Sequence, residues 1–62
     1  MRNPKYINII KTERGVWQIK FAGLVLWEYE GLQEAKSFAI NYEHWKIIEV
    51  IEWDNIIEEI EK

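Results

Sequence analysis

Along the first thirty residues, apolar and polar side chains alternate in short runs punctuated by glycine. Residues 5–12, Lys-Tyr-Ile-Asn-Ile-Ile-Lys-Thr, are rich in β-branched side chains and lie between Pro4 and Glu13-Arg14-Gly15, which predicts a strand and a turn. Residues 16–20 and 24–30 repeat the pattern around Phe21-Ala22-Gly23. Three consecutive strands with short connections predict an antiparallel β-meander.

Register follows from the side chains, because a one-residue slip exchanges the two faces of a strand. A three-residue loop at Phe21-Ala22-Gly23 puts Trp17, Ile19, Val25, Trp27 and Tyr29 on one face. Val16, Gln18, Lys20, Leu24, Leu26 and Glu28 fall on the other. Gly23 is then third in the loop, where a left-handed residue is required, and Ala22 is spared the positive φ of a two-residue type I′ turn. The same logic gives a loop at Glu13-Arg14-Gly15, with Ile9 near Ile19 and Lys11 near Trp17.

From Leu32 the period changes. Leu32, Ala35, Phe38, Ala39 and Tyr42 form the stripe of an amphipathic helix, with Gly31 at the N-cap and Glu34 in the first turn. This helix is expected to cover the face bearing Ile7, Ile9, Trp17 and Ile19. Farther on, Ile47, Ile48 and Ile51 lie opposite Trp53, Ile56, Ile57 and Ile60 on a helical plot, so one helix over 45–61 has no single buried face. Residues 45–52 therefore read as a fourth strand, and Asp54 as the N-cap of a short helix through Glu61. The expected architecture is α+β in the order β-β-β-α-β-α: a three-stranded antiparallel meander packed on one amphipathic helix, then a fourth strand and a C-terminal helix.

Composition sharpens this picture. Sixty-two residues without cysteine make a single small domain, 1–62, held by apolar burial rather than disulfides or a zinc cluster. No apolar run approaches the roughly 20 residues of a membrane span, and the N-terminus lacks the apolar run of a signal peptide. No membrane association and a cytoplasmic location are expected. Charge is divided along the chain: residues 1–20 carry Arg2, Lys5, Lys11, Arg14 and Lys20 against Glu13, whereas residues 43–62 carry seven anions against Lys46 and Lys62.

The pattern Trp17-x-Ile19-x-Phe21-x-Gly23, then Tyr29, Glu34-Ala35 and Ala39, resembles small sheet-and-helix modules of phage and mobile-element proteins, including the N-terminal DNA-binding domains of integrases. Such modules often carry Ser or Thr where this chain has Gly31. The resemblance covers about a third of the chain and assigns no family.

Candidate chemistry is sparse. His44 has only carboxylates nearby, without HExxH or a two-His spacing, and reads as a solvated or capping histidine. Ser37 and Thr12 lie in no nucleophile motif. The carboxylates Asp54, Glu58, Glu59 and Glu61 read as the solvated side of the expected C-terminal helix. No catalytic, cofactor or metal site is expected, and the protein reads as non-enzymatic.

The apolar surplus is more informative. Tyr6, Ile10, Val16, Leu24 and Leu26 are expected on the sheet face away from the helix, and the fourth strand is apolar on both sides, through Trp45, Ile47 and Ile51 and through Ile48 and Val50. Either the C-terminal strand and helix fold over that face or another chain covers it. The leading expectation is a protein-interaction module, a small adaptor or inhibitor of phage-like type that forms a homodimer. Its contact residues are Tyr6, Ile10, Leu24, Leu26, Trp45 and Trp53, with Glu58, Glu59 and Glu61 meeting a basic partner. The alternative is nucleic-acid binding through the basic N-terminal hairpin, by Arg2, Lys5, Arg14 and Lys20.

Overall fold

Five strands and one helix make up the computed structural model, which describes residues 5–42 and 45–62. The strands are β1 (Tyr6–Lys11), β2 (Trp17–Phe21), β3 (Leu24–Tyr29), β4 (Ile47–Glu52) and β5 (Asn55–Glu61), with the helix α1 (Leu32–Asn41) between β3 and β4. They form one mixed sheet in the order β3-β2-β1-β4-β5. β4 runs parallel to β1 and every other pairing is antiparallel. A parallel neighbour cannot be reached by a tight turn, and α1 supplies the crossover from the β3 edge back to β4.

The first hairpin takes the expected three-residue loop. Thr12 N–H donates to Val16 O (2.8 Å), Gly15 N–H donates to Thr12 O (3.0 Å), and Gly15 adopts φ +83°. Ile9 lies opposite Ile19 and Lys11 opposite Trp17.

The second hairpin overturns the expected loop at Phe21-Ala22-Gly23. Phe21 pairs with Leu24 across a two-residue turn, in which Ala22 (φ 55°) and Gly23 (φ 82°) are both left-handed. The extra residue lies in β3, as a bulge, rather than in the loop. Lys20 pairs with Val25 but Ile19 pairs with Trp27, leaving Leu26 as the extra residue. Leu26 thereby packs against the core rather than on the far face, and Leu24 sits opposite the core-packed Phe21.

The larger correction concerns the C-terminus, where β5 replaces the expected helix and makes the sheet five-stranded. Asp54 is not an N-cap: it follows Trp53 in a second two-residue turn, at φ 64° and 53° respectively. Asp tolerates the left-handed region because its short polar side chain bonds locally. Ile57, which with Ile56 suggested a helical stripe, is the extra residue of a second bulge: Ile51 pairs with Ile56 and Val50 with Glu58. Nothing from the C-terminus folds over the second sheet face; β5 extends the sheet sideways.

The two outer hairpins share one geometry. Each has a two-residue left-handed turn, two paired rows, then one extra residue in the second strand. Equivalent positions are 31 residues apart, as in Leu26 and Ile57 or Trp27 and Glu58. β2 and β4 run in opposite directions on either side of β1, so the hairpins are related by a pseudo-two-fold axis normal to the sheet.

The core lies on the helix side. Ile7, Ile9, Ile19, Ile48 and Val50 are fully buried, together with Ala35 and Ala39 of α1. Each buried Ile or Val contributes roughly 2 kcal/mol through apolar area removed from water. The two alanines leave room for α1 to lie close to the sheet, where it packs over β1, β2 and β3. Phe38 stacks on Tyr42 and tilts against Tyr29, and Tyr42 meets Phe21 edge to face with centroids 5.4 Å apart. The helix begins at Gly31, which has an extended backbone and no side-chain cap; Ala35 N–H donates to Gly31 O (3.2 Å). Trp45, just before β4, is buried and belongs to the same core cluster as Ile48 and Val50.

Candidate interaction surfaces

The open sheet face is not the apolar patch that the sequence suggests. Lys20, Asn8, Glu49 and Glu59 are successive cross-strand neighbours and form a polar stripe across it. Tyr6 and Ile47 lie on one side of the stripe, and Ile10, Ile51 and Ile56 on the other. Tyr6, Ile10, Ile47 and Ile51 are only half-exposed. Glu49 and Glu59 face each other directly, an arrangement that destabilises an antiparallel pair through like-charge repulsion.

The other expected contact residues are scattered. Trp45 belongs to the core: its indole N–H donates to Ile40 O (3.0 Å), and the Lys62 ammonium sits 5.1 Å from the ring centroid. Leu26 is half-buried against the core, whereas Leu24 is 68% exposed at the start of β3. Glu58 turns to the helix side, where both its oxygens accept from Lys36 Nζ, at 2.9 and 3.0 Å. Glu59 and Glu61 remain exposed on β5. Trp53, at the tip of the β4–β5 hairpin, is 71% exposed, with exposed Ile56 and Ile57 following it.

The basic residues do not converge. Arg14 lies at the tip of the first hairpin and Lys20 near the opposite end of β2, while Arg2 falls outside the described residues. Arg14 is already paired with Glu28, 2.8 Å away, and Lys11 with Glu52 at 3.7 Å, its ammonium also lying over the Trp17 ring. Lys5 and Lys20 are left at one end of the sheet. His44 likewise lies outside the described residues. Among the described residues no three His, Asp or Glu side chains are grouped as metal ligands, and no helix is long and apolar enough to cross a membrane.

Among the described residues, Glu28 is the one carboxylate displaced clearly from its ordinary range. Hydrogen bonds from the Gln18 amide (2.7 Å) and then from Arg14 hold its pKa down, against a smaller opposing effect of desolvation. The group is therefore ionised and already satisfied within the chain.

Both edges of the sheet are free of a further strand among the described residues. They differ in chemistry. β3 reads Leu-Val-Leu-Trp-Glu-Tyr, with Trp27 58% exposed; β5 reads Asn-Ile-Ile-Glu-Glu-Ile-Glu. Beside β3, a groove of about 460 Å³ is lined by Tyr29, Phe38 and Tyr42, with Glu34, Ser37 and Asn41 at its polar margin. The exposed edge of β3 was hidden from sequence reasoning, which placed Val25 and Trp27 inside the core. Their alternation was legible, but the strand's position at the margin of the sheet was not.

No protein-family model matches this chain, and no curated protein or solved structure matches it either.

Proposed function

We propose that this protein is a non-enzymatic interaction module that presents the β4–β5 hairpin to a basic protein surface. The observation that carries the reading is Trp53, which combines a left-handed backbone (φ 53°) with a ring that is 71% exposed. A left-handed L-residue costs about 1–2 kcal/mol, and Asn or Gly serves such a turn better than a large aromatic. Stability therefore does not account for Trp at this position. The same hairpin carries the unfavourable Glu49–Glu59 pairing, so two choices that oppose folding are concentrated in one element. A basic partner would offset the carboxylates of Glu59 and Glu61 while the Trp53 ring anchors the contact, the combination of aromatic anchor and charged rim found at interfaces.

The test uses Trp53→Asn, which is expected to stabilise the fold. Affinity capture is compared between the native chain and this variant, with Glu59→Gln and Glu61→Gln as a charge-removal pair. Binding proteins that are retained by the native chain, lost from Trp53→Asn and weakened by the Gln pair support the reading. Equal capture by all three baits would overturn it, because the asparagine variant is not less folded.

A further inference from the structure

We infer that the opposite edge, β3, joins two copies of this chain, pairing antiparallel with itself about a two-fold axis beside the Leu26–Trp27 bulge. The backbone supplies the first argument. Thr12 N–H bonds Val16 O, so Val16 turns its backbone groups toward β1. Alternation along β2 then points Gln18 and Lys20 toward β1, and Trp17, Ile19 and Phe21 toward β3. Val25 and Glu28 lie opposite Lys20 and Gln18, so their N–H and C=O groups point outward from the sheet. Leu24 and Tyr29, opposite Phe21 and Trp17, bond inward.

A two-fold contact must be self-complementary. Placing Val25 of one copy opposite Glu28 of the other matches outward backbone groups with outward ones, twice over. It also sets Leu24 of one copy opposite Tyr29 of the other, at the rim of the groove lined by Phe38 and Tyr42. In a regular strand, Leu24 and Tyr29 would lie on opposite faces. The extra residue at Leu26 restores the phase, so both fall on the helix side and Val25 and Glu28 both fall on the open side. The bulge makes the strand symmetric about its own middle. A hollow of about 380 Å³, lined by Val25, Leu26, Trp27 and Glu28, leaves room along this edge for the apolar side chains of a second strand.

Charge distinguishes this edge from its pseudo-symmetric counterpart. β3 has one carboxylate, Glu28, which is bonded by Arg14 and Gln18 and would face Val25. β5 has the same bulge, but self-pairing there in the equivalent register would bring Glu58 of both copies to the two-fold axis and set Glu61 of one opposite Asp54 of the other, and like charges protect an edge from pairing. The second copy therefore belongs on β3, leaving β4–β5 free for a different partner.

The experiment is sedimentation equilibrium of the native chain, Trp27→Lys and Ile57→Lys, with circular dichroism to verify folding. A native dimer, weakened at least about 30-fold by Trp27→Lys and unchanged by Ile57→Lys, is expected for loss of a central aromatic anchor. A second measurement does not depend on the lysine variant folding. The double variant Val25→Cys with Glu28→Cys should oxidise to a covalent dimer, and Ile56→Cys with Glu59→Cys should not, since only paired residues come within disulfide reach. A native chain that stays monomeric, a dimer lost on Ile57→Lys instead, or equal cross-linking at both edges would overturn the inference. A monomer that still loses its captured proteins on Trp53→Asn would leave the β4–β5 reading standing.

Discussion

Glu58 on the outermost strand is held by Lys36 on the helix, with both carboxylate oxygens within 3.0 Å of one ammonium. The pair bridges α1, which packs over the β3-β2-β1 half of the sheet, to the far edge that the helix does not cover. Glu58 is the cross-strand neighbour of the fully buried Val50, so this carboxylate closes the margin of the core. Lys36 is mostly buried and Glu58 about 40% exposed, which leaves the pair partly screened by water. A double-mutant cycle with Lys36→Met and Glu58→Gln is expected to give a coupling of about 0.5–1 kcal/mol in denaturant unfolding. The coupling should shrink with added salt; one that is insensitive to salt would contradict the geometry.

Turn strain gives a prediction of the opposite sign. Trp53→Asn and Ala22→Asn each replace a left-handed L-residue by one that tolerates the conformation, and each is expected to stabilise the fold by about 1 kcal/mol. Gly15→Ala should destabilise by a similar amount. Nothing lies within 4 Å of the added Cβ, so its cost is backbone strain alone. Urea midpoints of the three variants measure this directly.

The Glu28 site makes stability depend on pH. Its pKa is lower in the folded chain than in the unfolded one, chiefly through the Gln18 hydrogen bond and then Arg14. Its contribution is therefore present above the ordinary carboxylate pKa and is lost as the pH falls through the folded value. Gln18→Leu and Arg14→Gln should each move the Glu28 titration upward, as followed by carboxyl carbon NMR. A midpoint unmoved by either change would show that the two bonds do not form in solution.

Neighbouring isoleucines on β1 should behave very differently. Ile9 is fully buried between Ile19 and Val50, so Ile9→Ala is expected to cost about 3 kcal/mol from lost burial and the remaining cavity. Ile10 lies half-exposed beside Gln18 and Ile51 on the open face, and Ile10→Ala should cost less than about 1.5 kcal/mol. Equal losses in unfolding experiments would mean that the second face is covered.

These contrasts also mark how far the sequence could be read. The Gly15 loop, the register of Ile9 against Ile19 and the stripe from Leu32 to Tyr42 are all local patterns, and they were recoverable from spacing. The helix face of β1 and β2 follows from them. Trp53, Glu59 and Glu61 are exposed on a hairpin rather than carried on the expected C-terminal helix, whereas Trp45 proved to be core. Trp27 proved to be an exposed edge residue.

By itself the sequence determined the first three strands, the helix after them and the strand that follows it, which face of the first hairpin is buried, and that the C-terminal third carries both apolar and acidic surplus. The tertiary structure decided that residues 55–61 are a strand, that β4 joins β1 in parallel, and that β3 and β5 are edges. The physical reason is that these depend on pairing between distant segments. Adjacent apolar residues such as Leu26-Trp27 or Ile56-Ile57 fit a helical stripe or a bulged strand equally well on local pattern. Only the neighbouring strand, which supplies the hydrogen bonds for one of those conformations, selects between them.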